Sequence, residues 1–204
     1  MANITFAQIP GDGDIKVLNY ALALEAFEAE LYRQAILRLT TGGQVNGVAV
    51  AGLGLADSEP DVRYLREFAT VESEHRDFLN GALGAASIIG SGSNGILRNA
   101  TFDFDIESLS RTQVVDLIYT VENTGTSAYL GAIPFFATNT YLAVAGGIQA
   151  TEARHTAYIA AVRNLLFGAT LNTAPLASQN NGIDTALPPD QVLAAVGPNI
   201  ILPA

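Results

Sequence analysis

Both histidines of this 204-residue chain stand three positions after a glutamate, in Glu72-Ser73-Glu74-His75 and Glu152-Ala153-Arg154-His155. On a helix this spacing sets a carboxylate and an imidazole on neighbouring turns of one face. Two such steps, joined by one Glu from each of two further helices, make the ligand set of a dinuclear metal site inside a four-helix bundle. The chain holds ten Glu. A Glu three places before a given His arises by accident roughly one time in twenty, and twice over roughly one time in four hundred, which lifts the inward-facing motif above coincidence. A fold built on this feature needs four long helices, so the remaining sequence has to supply them.

Helical periodicity does so. A first helix is expected from about Asp14 to Leu39, capped by Asp12 or Asp14, with Val17, Leu18, Ala21, Leu24, Leu31 and Ala35 at helical spacing. Thr40–Leu55 is rich in Gly, Val and Ala and reads as a loop or a small apolar insertion. Ser58-Glu59-Pro60-Asp61 then signals a helix start, with a hydroxyl cap, an early Pro and acids at the positive end of the dipole. That second helix runs to about Ala86. Gly90–Leu109 carries glycines, serines and an alternating Thr-Phe-Asp-Phe-Asp stretch, and is long enough to cross from one end of a bundle to the other. Ser110 with Gln113 forms a capping box for the third helix, which ends near Gly131 or Pro134. The fourth spans roughly Asn139 to Phe167 and stops at Gly168, and its Gly146-Gly147 pair permits a kink or a close backbone approach. The tail from Ala169 is rich in Pro and is expected to wrap the bundle, with at most a short helix at Asp190–Ala195. The expected class is all-α: one domain over residues 1–204, with a four-helix bundle over about 14–167 and a long crossover between its second and third helices.

Within that frame the third helix leaves one choice of inward Glu. Between Asp116 and Glu152 the only acid is Glu122, in the apolar or small setting Leu117-Ile118-Tyr119-Thr120-Val121. Buried alone it would be costly, and a metal ion would compensate it. The first helix offers Glu25, Glu28 and Glu30. Glu122 is followed seven residues later by Tyr129, and Glu25 seven residues later by Tyr32, two turns along the same face. Each Tyr could therefore hydrogen-bond a ligand from another helix. The two halves of the chain repeat one order: Glu, Tyr, then Glu-x-x-His. Glu28 shares the Glu25 face and is a further ligand or proton relay candidate, whereas Glu30, Glu67 and Glu74 read as solvated charges. Taken singly, each feature has a plain reading as a surface pair, an exposed acid or a core tyrosine. Taken together, the duplication points to a metal site on Glu25, Glu72, His75, Glu122, Glu152 and His155, with Tyr32 and Tyr129 supporting it.

Composition narrows the partners. Apolar residues make up 49% and charged residues 15% of the chain, an apolar excess that predicts a homo-oligomer, a dimer in the simplest case. Twenty acids oppose ten bases, Lys16 being the only lysine, so phosphate backbones are repelled and nucleic acid is not expected as a partner. The absence of Cys excludes disulfides, thiolate metal sites and a catalytic thiol. No apolar run reaches the about 20 residues that span a bilayer. The N-terminal stretch lacks the charged and long apolar regions of a signal peptide, so a cytoplasmic location is the default expectation.

The segments Leu18–Leu22 through Glu28–Tyr32, Glu72–His75, Glu122–Ala132 and Glu152–His155 resemble the ferritin-like proteins that include plant desiccation-related proteins and bacterial homologues. Ile183–Val196 resembles that family's C-terminal segment. The resemblance covers nearly the whole chain. It implies a ferritin-like bundle with a di-iron or di-manganese carboxylate site, on which Glu25, Glu72, His75, Glu122, Glu152 and His155 match the ligands. Tyr32 and Tyr129 match tyrosines that bond those ligands in rubrerythrin-like members. The chain departs from rubrerythrins in lacking a cysteine pair for a mononuclear iron, and from cage-forming ferritins in the Thr40–Asp57 insertion and Pro-rich tail.

Two functional expectations follow. The first is an oxidoreductase using two Fe or Mn ions on dioxygen, peroxide or ferrous iron, in the manner of a ferroxidase, peroxidase or catalase. Glu72 and Glu152 would bridge the ions, with Glu25 and Glu122 terminal. The second is a non-enzymatic protein of desiccation or stress protection, with a structural or vestigial metal site. A ligand-binding bundle using Gly43–Leu55 as a lid ranks last, because nothing polar converges there.

Overall fold

The computed structural model describes residues 4–203. The first three positions of the N-terminal stretch, on which the expectation of no signal peptide partly rests, and the last residue of the tail lie outside them. Four long helices dominate: α1 (Gly13–Leu39), α2 (Pro60–Leu83), α3 (Arg111–Ala132) and α4 (Asn139–Phe167). Two short helices, α5 (Ala177–Asn180) and α6 (Pro189–Val196), lie in the tail. The strands are β1 (Gly42–Val45), β2 (Val48–Ala51), β3 (Thr101–Phe102) and β4 (Ile200–Ile201). The protein is thus mostly helical. No helix among the described residues is long and apolar enough to cross a membrane.

α1 packs along α2 and α3 along α4, and the two pairs meet through α1 with α3 and α2 with α4. From Val17 to Ala29 every residue of α1 is buried, the polar Asn19, Glu25 and Glu28 together with the apolar and small residues around them. The helix ends follow local chemistry. α3 opens on the expected capping box, Ser110 accepting from the Gln113 backbone and Gln113 Oε1 accepting from the Ser110 backbone at 2.9 Å. α4 ends at Gly168 as expected. The expected hydroxyl cap on α2 is not made. Glu59 occupies the cap position with Pro60 just inside, and no side chain caps the helix. Asp12 occupies the cap position of α1 as expected, but its side chain makes no capping hydrogen bond. Asp14 instead accepts from Ala137 N at 2.7 Å and from the Thr138 hydroxyl, tying the start of α1 to the start of α4.

Two further readings of the sequence are corrected. Thr40–Leu55 is an ordered β-hairpin, in which β1 and β2 pair antiparallel around Asn46-Gly47. Both turn residues take positive φ, 49° and 81°, as a two-residue hairpin turn requires. Val45 and Val50 are buried and Val48 is exposed, so one residue of each strand packs inward, without the period-2 alternation of a half-buried strand. α4 runs through Gly146-Gly147, and outside the helix's own backbone a Cβ at either position would meet no atom within 4 Å, so no close approach is made there.

The segment between α2 and α3 docks on α1 through Phe102 and Phe104, whose rings stack edge-on against Phe27 at 5.9 and 4.9 Å. The tail crosses α3, with Leu187 N donating to Ser127 O at 3.0 Å and α6 packed on the helix. It ends by pairing β4 with β3. α6 covers Pro189–Val196, one residue wider at each end than the expected helix, and α5 is an additional single turn.

Candidate metal centre

The packing of the four long helices gathers all six residues named from the sequence. α1 brings Glu25, α2 brings Glu72 and His75, α3 brings Glu122, and α4 brings Glu152 and His155. Ligand atoms of Glu25, Glu72, His75 and Glu152 lie within 4.8 Å of one another, and so do those of Glu72, Glu122 and His155. Glu72 belongs to both groups, its Oε2 3.1 Å from His75 Nδ1 and its Oε1 2.8 Å from His155 Nδ1. Glu152 joins the first group only, with Oε1 3.7 Å from His75 Nδ1, although the sequence reading gives it the same bridging place as Glu72. All four carboxylates are fully buried, whereas the His75 side chain keeps 15% exposure.

The two tyrosines bond across the halves of the repeat. Tyr32 of α1 donates to Glu122 Oε1 on α3, and Tyr129 of α3 donates to Glu25 Oε1 on α1. Each bond fixes one carboxylate oxygen and leaves the other, Oε2, turned toward the cluster without a partner.

Three more residues belong to the site. Glu28, one turn after Glu25, is buried with Oε2 unpartnered. Gly125 stands where a Cβ would come within 2.7 Å of Glu152 Oε2 and 2.8 Å of Glu28 Oε1, so α3 carries no side chain there and both carboxylates fit. The repeat contains the signal for this: Gly125 follows Glu122 by three, as Glu28 follows Glu25. Phe68, one turn before Glu72, stacks on the His155 ring at 3.9 Å, a contact that no spacing rule marks. Glu30 sits outside the cluster, paired with Arg33, and Glu67 and Glu74 are exposed as expected.

Electrostatically the cluster is under strain. Among the described residues only the two imidazoles pair with its acids; no Lys or Arg does. Burial, and then the neighbouring carboxylates, push Glu28 and Glu152 well above the usual carboxylate range. Burial raises Glu25 to about 7 despite His75 beside it, and raises Glu122 despite His155. Burial also acts upward on Glu72, but two imidazoles outweigh it and hold that carboxyl at about 2. For the imidazoles burial acts downward and is outweighed by Glu25 and Glu72 at His75, raised to about 10. Glu122 and Glu72 likewise raise His155 to about 9.

These donors fit a metal ion. Glu25 Oε2, Glu72 Oε1, Glu122 Oε2, both oxygens of Glu152 and His155 Nδ1 are buried without hydrogen-bond partners. His155 Nδ1 and Glu72 Oε1 approach closely yet are not aligned as a hydrogen bond, which is the geometry of donors converging on a common point rather than on each other. Leaving one such atom unsatisfied costs about 1–3 kcal/mol, and more if charged, so a cluster of six calls for a cation.

A family model described as a ferritin-like domain matches residues 13–165. The chain belongs to the ferritin-like family. The match begins with the first residue of α1 and reaches the last turn of α4, so every residue of the ferritin-like centre lies inside it. The tail beyond residue 165 lies outside. No curated protein and no solved structure matches the chain.

Proposed function

We propose that this ferritin-like protein is a dinuclear metal carboxylate protein that holds two Fe or Mn ions and acts as an oxidoreductase on peroxide, dioxygen or ferrous iron. The observation that carries the reading is the knot of unpartnered, buried carboxylate oxygens faced only by imidazoles. Glu25, Glu72, His75 and Glu152 would hold one ion, and Glu72, Glu122 and His155 the other. Four carboxylates neutralise two divalent ions, and an all-oxygen-and-imidazole donor set suits Fe or Mn. When bound, such ions supply the electrons and the open positions for oxygen species. The protein's own part is positional. Tyr32 and Tyr129 aim Glu122 and Glu25, Phe68 clamps the His155 ring, and the enclosing helices keep bulk water from the carboxylates.

The fold reading that goes with this is the four-helix bundle with a long crossover. It is supported by Arg111 at the start of α3, which grips Asp61 and Glu59 at the start of α2 with three contacts of 2.7 Å. Two helices that start at one end can be joined only by a segment that returns the length of α2. A homodimer accords with exposed Phe78, Phe135 and Leu165, and a light-scattering mass of one chain would refute it. The acidic balance argues against a nucleic-acid partner.

The test is metal analysis of protein purified without added metal, followed by peroxide and ferrous-oxidation assays. Two ions per chain and turnover that falls in Glu25→Ala and His155→Ala are expected. Unchanged metal content and turnover in both variants would overturn the proposal. Well under one metal per chain, with no stability lost on chelation, would favour the protective reading that the desiccation-related resemblance carries.

A further inference from the structure

The duplicated centre is flanked by two cavities, one on each helix seam. Ala26, Ala29, Ser73 and Arg76 directly follow Glu25, Glu28, Glu72 and His75, and line a cavity of about 470 Å³ on the α1–α2 seam. Asn123, Thr126, Ala153 and Thr156 hold the equivalent positions in the second half and line a cavity of about 510 Å³ on the α3–α4 seam. The two places correspond in the repeat, but their chemistry is opposite. The α3–α4 cavity is walled by hydroxyls and amides and has no Lys or Arg. The α1–α2 cavity holds three arginines, Arg33, Arg76 and Arg98, out of only ten basic residues in a chain of net charge −10.

We propose that the α1–α2 cavity binds a small, multiply charged oxyanion of the carboxylate or phosphate class. Its arginines come from three separate elements: Arg33 from α1, Arg76 from α2 and Arg98 from the segment before β3. An anion there would be held from three directions by planar forks that match its oxygens. Arg33 is engaged by Glu30, the one acid in the lining, at 2.5 and 2.7 Å, and Arg76 by Asp77 at 2.8 Å. Arg98 has no carboxylate partner among the described residues. The remaining wall is fixed in place. Asn46 Nδ2 at the hairpin turn and Gln34 Nε2 on α1 both donate to Phe102 O, at 2.8 and 2.9 Å. The hairpin thus contributes its turn residue Asn46 to the cavity wall.

The inference does not depend on the metal reading, and its test uses the metal-free full chain. Citrate and inorganic phosphate are titrated calorimetrically at constant ionic strength. Saturable binding of one anion per chain is expected, weakening as salt rises. Arg98→Ala and Arg76→Ala should each weaken it roughly tenfold or more, the scale of losing a charge-assisted contact. Arg154→Ala removes the same charge from an exposed position on α4 and should leave binding unchanged. Citrate preferred over phosphate assigns the carboxylate class, and the reverse assigns the phosphate class. Absence of saturable binding for both anions, or an equal loss in Arg154→Ala, would overturn the site. Circular dichroism of each variant separates lost binding from lost fold, and Arg98→Gln serves as a second variant at the same exposed position.

Discussion

Gly125→Ala adds a single methyl group to the wall of the candidate metal centre, and its consequence can be worked out from two distances. The new Cβ would sit 2.7 Å from Glu152 Oε2 and 2.8 Å from Glu28 Oε1, where ordinary contact begins at 3.4 Å. One or both oxygens must retreat by about 0.6–0.7 Å, against a tolerance of about 0.2 Å in metal–ligand distances. The fold itself changes less. Ala in place of Gly favours a helix interior by about 1 kcal/mol, and overpacking costs about 1–3 kcal/mol, so the metal-free protein should lose about 0–2 kcal/mol. That is a fall in Tm of about 0–8 °C for a chain of this size. Metal affinity should drop about a hundredfold, or about 2.7 kcal/mol, because a displaced carboxylate no longer reaches its ion. Mn²⁺ titration followed by the electron paramagnetic resonance of the free aquo ion measures the affinity, and calorimetric melting of metal-free protein measures the fold. The double variant Gly125→Ala with Glu28→Ala makes room on one side and should recover part of the affinity. Wild-type affinity for both ions in Gly125→Ala would refute the argument that Glu28 and Glu152 are confined by this glycine.

Other perturbations follow from the same geometry. Tyr129→Phe and Tyr32→Phe each leave a buried carboxylate oxygen without its donor, at a cost of about 1–3 kcal/mol in urea unfolding, with metal affinity down by about 10–100-fold. The pH dependence has a definite sign. His75 and His155 are raised to about 10 and 9, so their stabilisation of the metal-free protein is complete below the unfolded value of about 6.5 and is lost as pH climbs through 9 and 10. Raised Glu28 and Glu152 act in the same direction, since their ionisation is resisted in the folded state. Melting of metal-free protein from pH 6 to 10 should fall steadily, while metal affinity rises over that range as the ions displace the imidazole protons. A flat melting profile would contradict this. Arg111→Ala strands the fully buried Asp61 carboxylate and should cost about 2–3 kcal/mol, below the roughly 3–5 of a fully buried pair because the Arg111 side chain is 27% exposed. Arg111→Ala with Asp61→Asn should recover stability relative to the single variant.

The long helices were legible because each carries its own signals. Ser110 and Gln113 make their capping box, Gly168 stops α4, and the apolar spacing of α1 reappears as a helix buried on every side from Val17 to Ala29. Four of the six candidate residues are legible because a Glu-x-x-His step is a local geometry repeated twice, and Glu122 and Glu25 through the lone acid of α3 and the shared seven-residue spacing to a Tyr. The hairpin has only its Asn46-Gly47 turn as a signal, because its strands do not alternate: Val50 is buried while Val48, two residues before it, is exposed. The cap chemistry is less legible, because Asp14 bonds Ala137 and Thr138 on a distant element and Glu59, not the Ser58 hydroxyl, takes the cap position of α2.

By itself, the sequence determined which side chains share a helix face: Glu25 with Tyr32, Glu122 with Tyr129, and each Glu with its His. These relations depend only on the 3.6-residue period. Tertiary packing alone decided which atoms meet across helices. It crossed Tyr32 to Glu122 and Tyr129 to Glu25, set Glu72 between both imidazoles, and opened space at Gly125 for Glu28 and Glu152. It also gave one cavity three arginines and the corresponding cavity none. Contacts of this kind depend on how rigid helices are rotated and shifted against one another, a quantity that no spacing within a single helix encodes.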